Sequence, residues 1–330
     1  MSILVLGAGE LGLSVLRALS QHHLIQSHRT HLSVLLRPSS LSSPTASQAR
    51  VHDELRRLNV SPIPGDIVTS TVSELSSSIK PFDVVIGCMG FGCPAGTQVK
   101  IARAVLEAGV KRYIPWQFGI DYDVVGRGSG MELFDEQLDI RDLLRGQKGG
   151  RRTGWTVIST GMFMSFLFEE AFGVVTGLHL SGSEHGDGEG EVEVQDDAEV
   201  MVHALGSWDS AVTVTAVEDI GRITAEVAMD INVEDKVVYT AGETISYARL
   251  ANVVDAVTEK TLARELYTTE ELGRKVKEGS MMDKYRLVFA KGKGVSWSKE
   301  ESWNERRGMQ VEDVRTWLER RLGEHMDSVG

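Results

Sequence analysis

The chain has 330 residues, 42% hydrophobic and 25% charged, with a formal charge of −12 at pH 7. That length is more than one hydrophobic core serves, so a large domain joined to a smaller one is expected. The acidic balance, with Lys148, Arg151 and Arg152 forming a short basic run that lacks interleaved aromatics, excludes nucleic acid as a ligand.

No stretch of about 18 apolar residues is present to span a bilayer. The apolar opening Ser2 to Leu6 carries no basic flank and runs straight into glycines, so it reads as a first strand rather than a signal peptide. A cytoplasmic protein with no membrane partner is expected. Cys88 and Cys93 are too few for a disulfide framework and lack the spacing of a zinc site, so both are expected as free, buried thiols.

Short β-branched runs alternate with amphipathic stretches through the first half. Strands are expected at Ile3 to Leu6, His31 to Leu36, Ser61 to Pro64, Val84 to Cys88 and Arg112 to Pro115, with helices at Glu10 to Gln21, Ala46 to Leu58, Val72 to Ile79 and Gly96 to Ala108. That alternation predicts an α/β fold, a doubly wound parallel sheet of the Rossmann type with right-handed crossovers. A helix over Met131 to Gly146, a turn over Gly149 to Gly154 and a strand over Trp155 to Ser159 follow. The division expected is a dinucleotide-binding domain over 1–160 and a smaller C-terminal substrate-binding subdomain over 161–330, with parts of the chain crossing between them.

Beyond Thr160 the pattern loosens. Ser181 to Asp197 is rich in glycine and acid and reads as a mobile surface loop. Ala211 to Val217 is expected as a strand that meets Glu218 to Gly221, with a helix over Arg222 to Met229. Further helices are expected near Tyr247 to Thr258, Thr269 to Glu278 and Val311 to Leu322. There is no internal repeat and no heptad pattern.

Leu4-Val5-Leu6-Gly7-Ala8-Gly9-Glu10-Leu11-Gly12 places G-x-G-x-x-G between a strand and a helix. Gly7 permits the tight turn, Gly9 lets main-chain amides approach a pyrophosphate, and Gly12 lets the helix pack closely on the strand. The helix N-terminus, at Glu10 and Leu11, adds partial positive charge, with the Glu10 side chain expected to point away from the phosphates. Where an NAD-preferring domain offers an acid to the ribose, the second strand ends in Leu36-Arg37-Pro38-Ser39-Ser40. A guanidinium there suits a 2′-phosphate and the Ser39 hydroxyl can share it, so NADP(H) is the expected cofactor.

Several segments together resemble the NmrA-like branch of the atypical short-chain dehydrogenases, especially isoflavone reductase-like and phenylcoumaran benzylic ether reductase-like proteins. They are Gly7 to Gly12, Arg37, Ala108-Gly109-Val110-Lys111-Arg112-Tyr113-Ile114-Pro115, Phe118-Gly119 with Asp121, Thr160-Gly161-Met162-Phe163, and Val217-Glu218-Asp219-Ile220-Gly221. The resemblance covers most of the chain. It implies a reductase acting on an aromatic or heterocyclic small molecule of secondary metabolism, with Thr160, Gly161 and Phe163 against the nicotinamide and Gly90 in the cofactor set. It also implies that the last motif is a recurring turn.

The chain departs from that family at one decisive place. Counting from Phe134, the family's lysine, the usual acid or base, falls on Gln137. An amide orients a carbonyl by hydrogen bonding but exchanges no proton near neutral pH. Trp116-Gln117 also replaces the serine and glutamate of the plant members. Asp121 and Tyr122 are the candidate proton donors, against a plainer reading of Asp121 as a loop cap and Tyr122 as a packed edge aromatic. Two alternatives stay open: a cyclase, isomerase or condensation enzyme that retains NADP without net hydride transfer, and a dinucleotide-sensing regulator that binds a protein partner.

Met162, Met164, Phe166, Phe168 and Phe172 are expected as core, with Phe163 the exception. His179, His185 and His203 form no metal-ligand spacing, so no metal is expected. Gly126-Arg127-Gly128-Ser129-Gly130 lacks the strand and spacing of a hydrolase elbow and reads as a flexible, substrate-facing loop. The sequence leaves the oligomeric state open.

Overall fold

The computed structural model describes the chain apart from residues 28–29, 91, 130–131, 149–151, 179, 181–199, 277–279 and 330, and apart from the side chains of residues 132–133 and 324–329. The strands are β1 (Ser2–Leu6), β2 (His31–Leu36), β3 (Ser61–Pro64), β4 (Val84–Gly87), β5 (Arg112–Ile114), β6 (Gly154–Ser159), β7 (Met162–Phe163), β8 (Val175–Thr176), β9 (Met201–Leu205), β10 (Ala211–Thr215), β11 (Lys236–Tyr239), β12 (Glu243–Ser246) and β13 (Ala263–Tyr267). The helices are α1 (Glu10–Gln21), α2 (His23–Ser27), α3 (Pro38–Ser42), α4 (Ala46–Arg57), α5 (Val72–Ile79), α6 (Thr97–Ala108), α7 (Tyr122–Val125), α8 (Glu132–Arg145), α9 (Val217–Met229), α10 (Tyr247–Thr258), α11 (Thr269–Lys275), α12 (Met281–Ala290), α13 (Trp303–Arg306) and α14 (Val314–Val329).

Seven strands form one parallel sheet in the order β3-β2-β1-β4-β5-β6-β11. Ile3 pairs with Leu32 on one side and Val84 on the other, so the strand order reverses at β1. In doubly wound sheets that reversal opens a crevice at the carboxyl ends of the strands. Because side chains alternate across a strand, Ile3 and Val5 join the layer under α1 and α9, while Leu4 and Leu6 join the layer with α5, α6 and α8. Each fully buried aliphatic side chain there contributes about 1.5–3 kcal/mol.

α1 and α9 cross very closely. A methyl group at Gly221 would lie 2.2 Å from Ser14 Oγ, and that hydroxyl donates to the Val217 carbonyl at 2.7 Å. Here the sequence expectation is corrected. The strand from Ala211 stops at Thr215, and Val217 to Gly221 is the first part of α9 rather than a turn. Glu218 and Asp219 sit in the first turn, where the helix dipole favours acids, and the glycine serves the helix crossing.

The seventh strand, β11, was not expected from the sequence, since it lies beyond residue 160, where the strand–helix alternation has ended. It returns from beyond residue 160 to pair with β6. Smaller sheets, β12-β10-β7 and β13-β9-β8, lie in the second half. Their core holds Met162, Met164, Phe168 and Phe172 as expected, with Phe166 at its margin. Tyr285 of α12, a helix not expected from the sequence, contacts Phe134, Phe166, Phe172 and Phe289. The expected loop Ser181 to Asp197, with His185, and His179 beside it, falls outside the described residues or largely so, as does Gly130 of the glycine-rich loop.

Candidate active site

The turn after β1 is built from backbone. Gly7 has φ +98°, a conformation costly for any residue with a side chain. A methyl at Gly12 would lie 2.2 Å from the Gly7 carbonyl oxygen, so the start of α1 rests directly on the turn. At Gly9 the same added methyl meets nothing within 4 Å. Gly9 is also the N-cap of α1 and supplies no side-chain cap to it. The result is a helix N-terminus with no side chain at its N-cap, beside the open space at Gly9 and at the strand-order reversal, the setting that attracts an anion. Glu10 and Leu11 are the first two residues of α1, Glu10 half-buried and Leu11 buried.

Arg37 follows β2 as the N-cap of α3, with Pro38 at the first helical position. It is exposed, as is Ser39 in the first turn. Its positive charge reaches Asp66, after β3, and Cys93, after β4. The ends of β2, β3 and β4 therefore share one electrostatic neighbourhood around that guanidinium. Gly90 lies against the Trp116 ring, and Met89 Sδ lies 3.2 Å from where a Gly7 methyl would be. Cys88 is buried and Cys93 half-buried, both as free thiols.

On the other side of the crevice the geometry is made by side chains. Asp121 accepts from the amides of Asp123 (3.1 Å) and Val124 (3.3 Å), capping α7, and accepts from the Tyr239 hydroxyl at 2.8 Å. Burial, then the Asp121 carboxylate, push the Tyr239 phenol up. Arg141 is fully buried on α8. Its Nε donates to Gln117 Oε1 at 2.8 Å and its Nη1 to Asp123 Oδ2 at 2.6 Å, with Asp121 Oδ1 at 3.8 Å. Gln117 in turn donates to the Gln137 carbonyl at 2.9 Å.

Tyr122 packs against Phe134 (5.1 Å between centroids) and under the Arg141 guanidinium (5.4 Å). Its hydroxyl lies 2.6 Å from where a Gly119 methyl would stand. Burial raises the phenol to about 12 against the pull of Arg141, so it is protonated at ordinary pH. Gln137 is fully buried, and neither atom of its side-chain amide has a hydrogen-bond partner within the chain. Leaving such groups unsatisfied costs about 1–3 kcal/mol each. An amide placed this way is a ready donor and acceptor for an incoming oxygen or nitrogen.

The two sides meet at Gly119. Its carbonyl accepts from Thr160 (3.0 Å) and Gly161 (3.1 Å), so the Gln117 to Tyr122 segment and the Thr160 to Phe163 segment move as one. Thr160 is held again by Thr215, whose hydroxyl donates to the Thr160 carbonyl at 2.7 Å. Phe163 stands apart from the other phenylalanines, half-buried against the apolar cluster that contains Leu11, Cys88, Trp116 and Phe118. The structure thus brings Gln137, Tyr122 and Asp121 to one region and the glycine loop, Arg37, Ser39 and Gly90 to another, with Thr160, Gly161 and Phe163 between.

Four residues of this arrangement were not among the candidates from sequence: Arg141, Asp123, Tyr239 and, as a site residue, Gln117. Arg141 carried a signal, a cation on the same helical stripe as Phe134 and Leu138. Tyr239 carried none, since its partner lies 118 positions away. Among the described residues there is no cluster of three or more metal-ligating side chains, and no helix is long and apolar enough to cross a membrane.

A seven-stranded parallel sheet whose first strand runs through a glycine turn into the N-terminus of α1 defines a Rossmann-type α/β protein. Residues 1–312 match the model of the NmrA-like family, and the chain belongs to that family. It is 44% identical over 319 residues to an NmrA-like family domain-containing oxidoreductase of Gibberella moniliformis, covering 96% of this chain and 97% of the relative. It is 27% identical over 278 residues, 82% of each chain, to phenylcoumaran benzylic ether reductase Pyrc5 of Pyrus communis. The fold is shared with the structure of AtPrR2 bound to NADP+ and (+)-pinoresinol, with a TM-score of 0.72, 18% identity, and 96% of this chain and 97% of that one covered.

Proposed function

We propose that the chain is an NADP(H)-dependent reductase acting in the cytoplasm on an aromatic or heterocyclic small molecule of secondary metabolism. The observation that carries the reading is the glycine turn after β1, with Gly7 at positive φ, Gly12 pressed onto the turn and Gly9 open at the start of α1. The amides from Glu10 to Gly12 would hold the pyrophosphate, and Arg37 with Ser39 the 2′-phosphate. Gly90, Thr160, Gly161 and Phe163 would flank the rest of the cofactor. Residues 1–160 serve the nucleotide and 161–330 the substrate, with α9 and β11 crossing back. The relatedness to an oxidoreductase and to a plant ether reductase supports this reading.

When bound, the nicotinamide supplies or takes up a hydride. The chain's own residues orient and shield. Gln137 Nε2 would donate to a substrate oxygen, and its Oε1 would accept from a neighbouring hydroxyl. The protonated Tyr122 phenol would lend a proton to an oxyanion. Asp121, tied to α7 and Tyr239, sets the loop that carries Tyr122.

Calorimetry with NADPH and NADH on the wild type and on Arg37→Ala tests the cofactor. A preference for NADPH of about ten- to a hundredfold is expected, the worth of charge-assisted hydrogen bonds to one phosphate, and Arg37→Ala should erase it. Equal affinities in the wild type sink the assignment of Arg37.

A second reading rests on Gln137 alone. Because an amide does not titrate, the chain could retain NADP as a structural or electrostatic element of a cyclase or isomerase. Turnover of a substrate with bound NADP+ and no change in nicotinamide absorbance would select it over the reductase.

A further inference from the structure

The N-terminus of α6 is capped by a side chain from another helix. Gly96, its N-cap, offers no side chain. Instead the Glu136 carboxylate, from α8, accepts from the amides of Gly96 (3.1 Å), Gln98 (2.9 Å) and Val99 (3.1 Å). Three main-chain donors on one carboxylate form a charge-assisted brace, aligned with the positive end of the helix.

The segment it grips is the one that borders the glycine loop. Gln98 Nε2 donates to the Met89 carbonyl at 2.8 Å, and Met89 lies against Gly7. Between them Cys93 feels the charges of both Arg37 and Glu136, so this segment bridges from the exposed guanidinium to α8. Glu136 is followed in sequence by Gln137, whose carbonyl is fixed by Gln117 and, through it, by Arg141. α8 is thus held at one point by the substrate-side loop and at the adjacent residue by the cofactor-side segment.

We propose that Glu136 is a positioning residue that couples nucleotide occupancy beside the Met89 to Gly96 segment to the setting of the Gln137 amide. The proposal rests on the NADP(H) reading above. Nucleotide contacts at Met89 steady Gln98 and with it the α6 N-terminus, and the Glu136 carboxylate passes that restraint to α8. Loss of the brace loosens the α6 N-terminus and uncouples it from α8.

The test is hydrogen-exchange mass spectrometry and calorimetry on the full chain, wild type, Glu136→Gln and Glu136→Ala, with and without NADPH. In Glu136→Ala the amides of residues 96–99 should exchange about tenfold faster and NADPH should bind about tenfold more weakly, the worth of one charge-assisted hydrogen bond. NADPH should slow exchange over residues 134–141 in the wild type and no longer do so in the variant. Glu136→Gln, which keeps acceptor oxygen but no charge, should fall between, and unchanged exchange in β1 and β4 would show that the sheet is intact. A merely structural brace would speed exchange at 96–99 yet leave the response of α8 to NADPH in place, and that result overturns the proposal. So does a wild type that binds NADPH with no response in α8. A wild type that gives no heat with NADPH removes the cofactor reading itself and the coupling with it, an outcome seen before any variant is compared.

Discussion

The two walls of the crevice are made in different ways. At the carboxyl end of β1 the chain works with its backbone: a turn at positive φ, a glycine pressed onto a carbonyl oxygen, and a helix N-terminus whose N-cap has no side chain. Around α8 it works with side chains, through a buried arginine, two glutamines, a tyrosine and two aspartates drawn from α8, the 117–123 segment and β11. A backbone device depends on what is missing at a position, the Cβ, and leaves a fixed spacing of glycines. A side-chain network depends on partners that the fold brings together from far apart. The first kind is robust to changes in surface chemistry and intolerant of a single methyl; the second tolerates small changes in shape and fails when one charge is removed.

The sharpest way to break that contrast is within the glycine loop itself. Gly12→Val puts branched carbon into the Gly7 carbonyl oxygen, so α1 must lift from β1, and a loss of about 4 kcal/mol or more is expected in thermal or denaturant unfolding. Gly9→Ala adds a methyl to open space at φ −74° and should leave stability within about 0.5 kcal/mol. Its effect should appear in NADPH affinity alone. If Gly9→Ala binds NADPH as tightly as the wild type, the open face of Gly9 is not where a pyrophosphate docks.

Next in size is the charge at the centre of the opposite wall. Arg141→Met removes the partner of Asp123 and Gln117 from a fully buried position, and a loss of about 3 kcal/mol is expected. Arg145 also pairs with Asp123, so that carboxylate is not stranded and the loss should sit at the lower end for a broken buried pair. A change below about 1 kcal/mol would mean that solvent replaces the guanidinium, and that the wall is wetter than its burial implies.

Gln137 gives the opposite sign. Replacing its partnerless amide with the similar volume of leucine removes two unsatisfied polar atoms, so Gln137→Leu should gain about 1 kcal/mol in stability while reducing turnover of any substrate. A group that costs stability where it stands is placed there for something other than the fold. If the variant is instead destabilised, the amide has a partner in the folded protein and its role is structural.

How much of this was legible follows the same divide. All six strands of the first half and the five longer helices between them, α1, α4, α5, α6 and α8, stood close to where periodicity put them, because a parallel sheet buried on both faces needs continuous apolar runs and amphipathic covers, while the short α2, α3 and α7 were not expected. β11 was missed because it lies beyond residue 160, where the alternation that marks the first six strands has ended, and Val217 to Gly221 was read as a turn on the family resemblance, which does not show the crossing of α9 on Ser14. The site was legible where glycines and the post-β2 arginine mark it. Tyr239 was not, since a hydrogen bond to Asp121 is a fact about two distant positions and the sequence shows them one at a time, and Arg141 showed only its place on the α8 stripe and not its partners. Gln137 was found by counting along a family resemblance, while Glu136 beside it, which grips a different helix, left no mark that a helix-surface acid would not also leave.

The smallest effect concerns proton linkage on the side-chain wall. The Arg145 guanidinium foremost, then that of Arg141, hold the Asp123 carboxyl at about 2, against burial that pushes it up. An unfolded aspartate titrates near 3.9. Between about pH 4 and pH 2 the unfolded chain therefore binds more protons at this position than the folded one, so its stabilising contribution is complete above that window and is lost as pH falls through it. Other carboxyls are lowered as well, Asp66 and Asp83 among them, so the whole protein will lose stability in acid and the difference between two chains is the quantity to follow. The gap in melting temperature between the wild type and Asp123→Asn should be constant from neutral pH to about pH 4 and should narrow below it. With a third of the side chain exposed to solvent, the narrowing will be modest. A gap that stays constant down to pH 2 would mean that the Asp123 carboxylate is not held by its two arginines in solution, and the wall would then depend on Gln117 and Tyr239 for its shape.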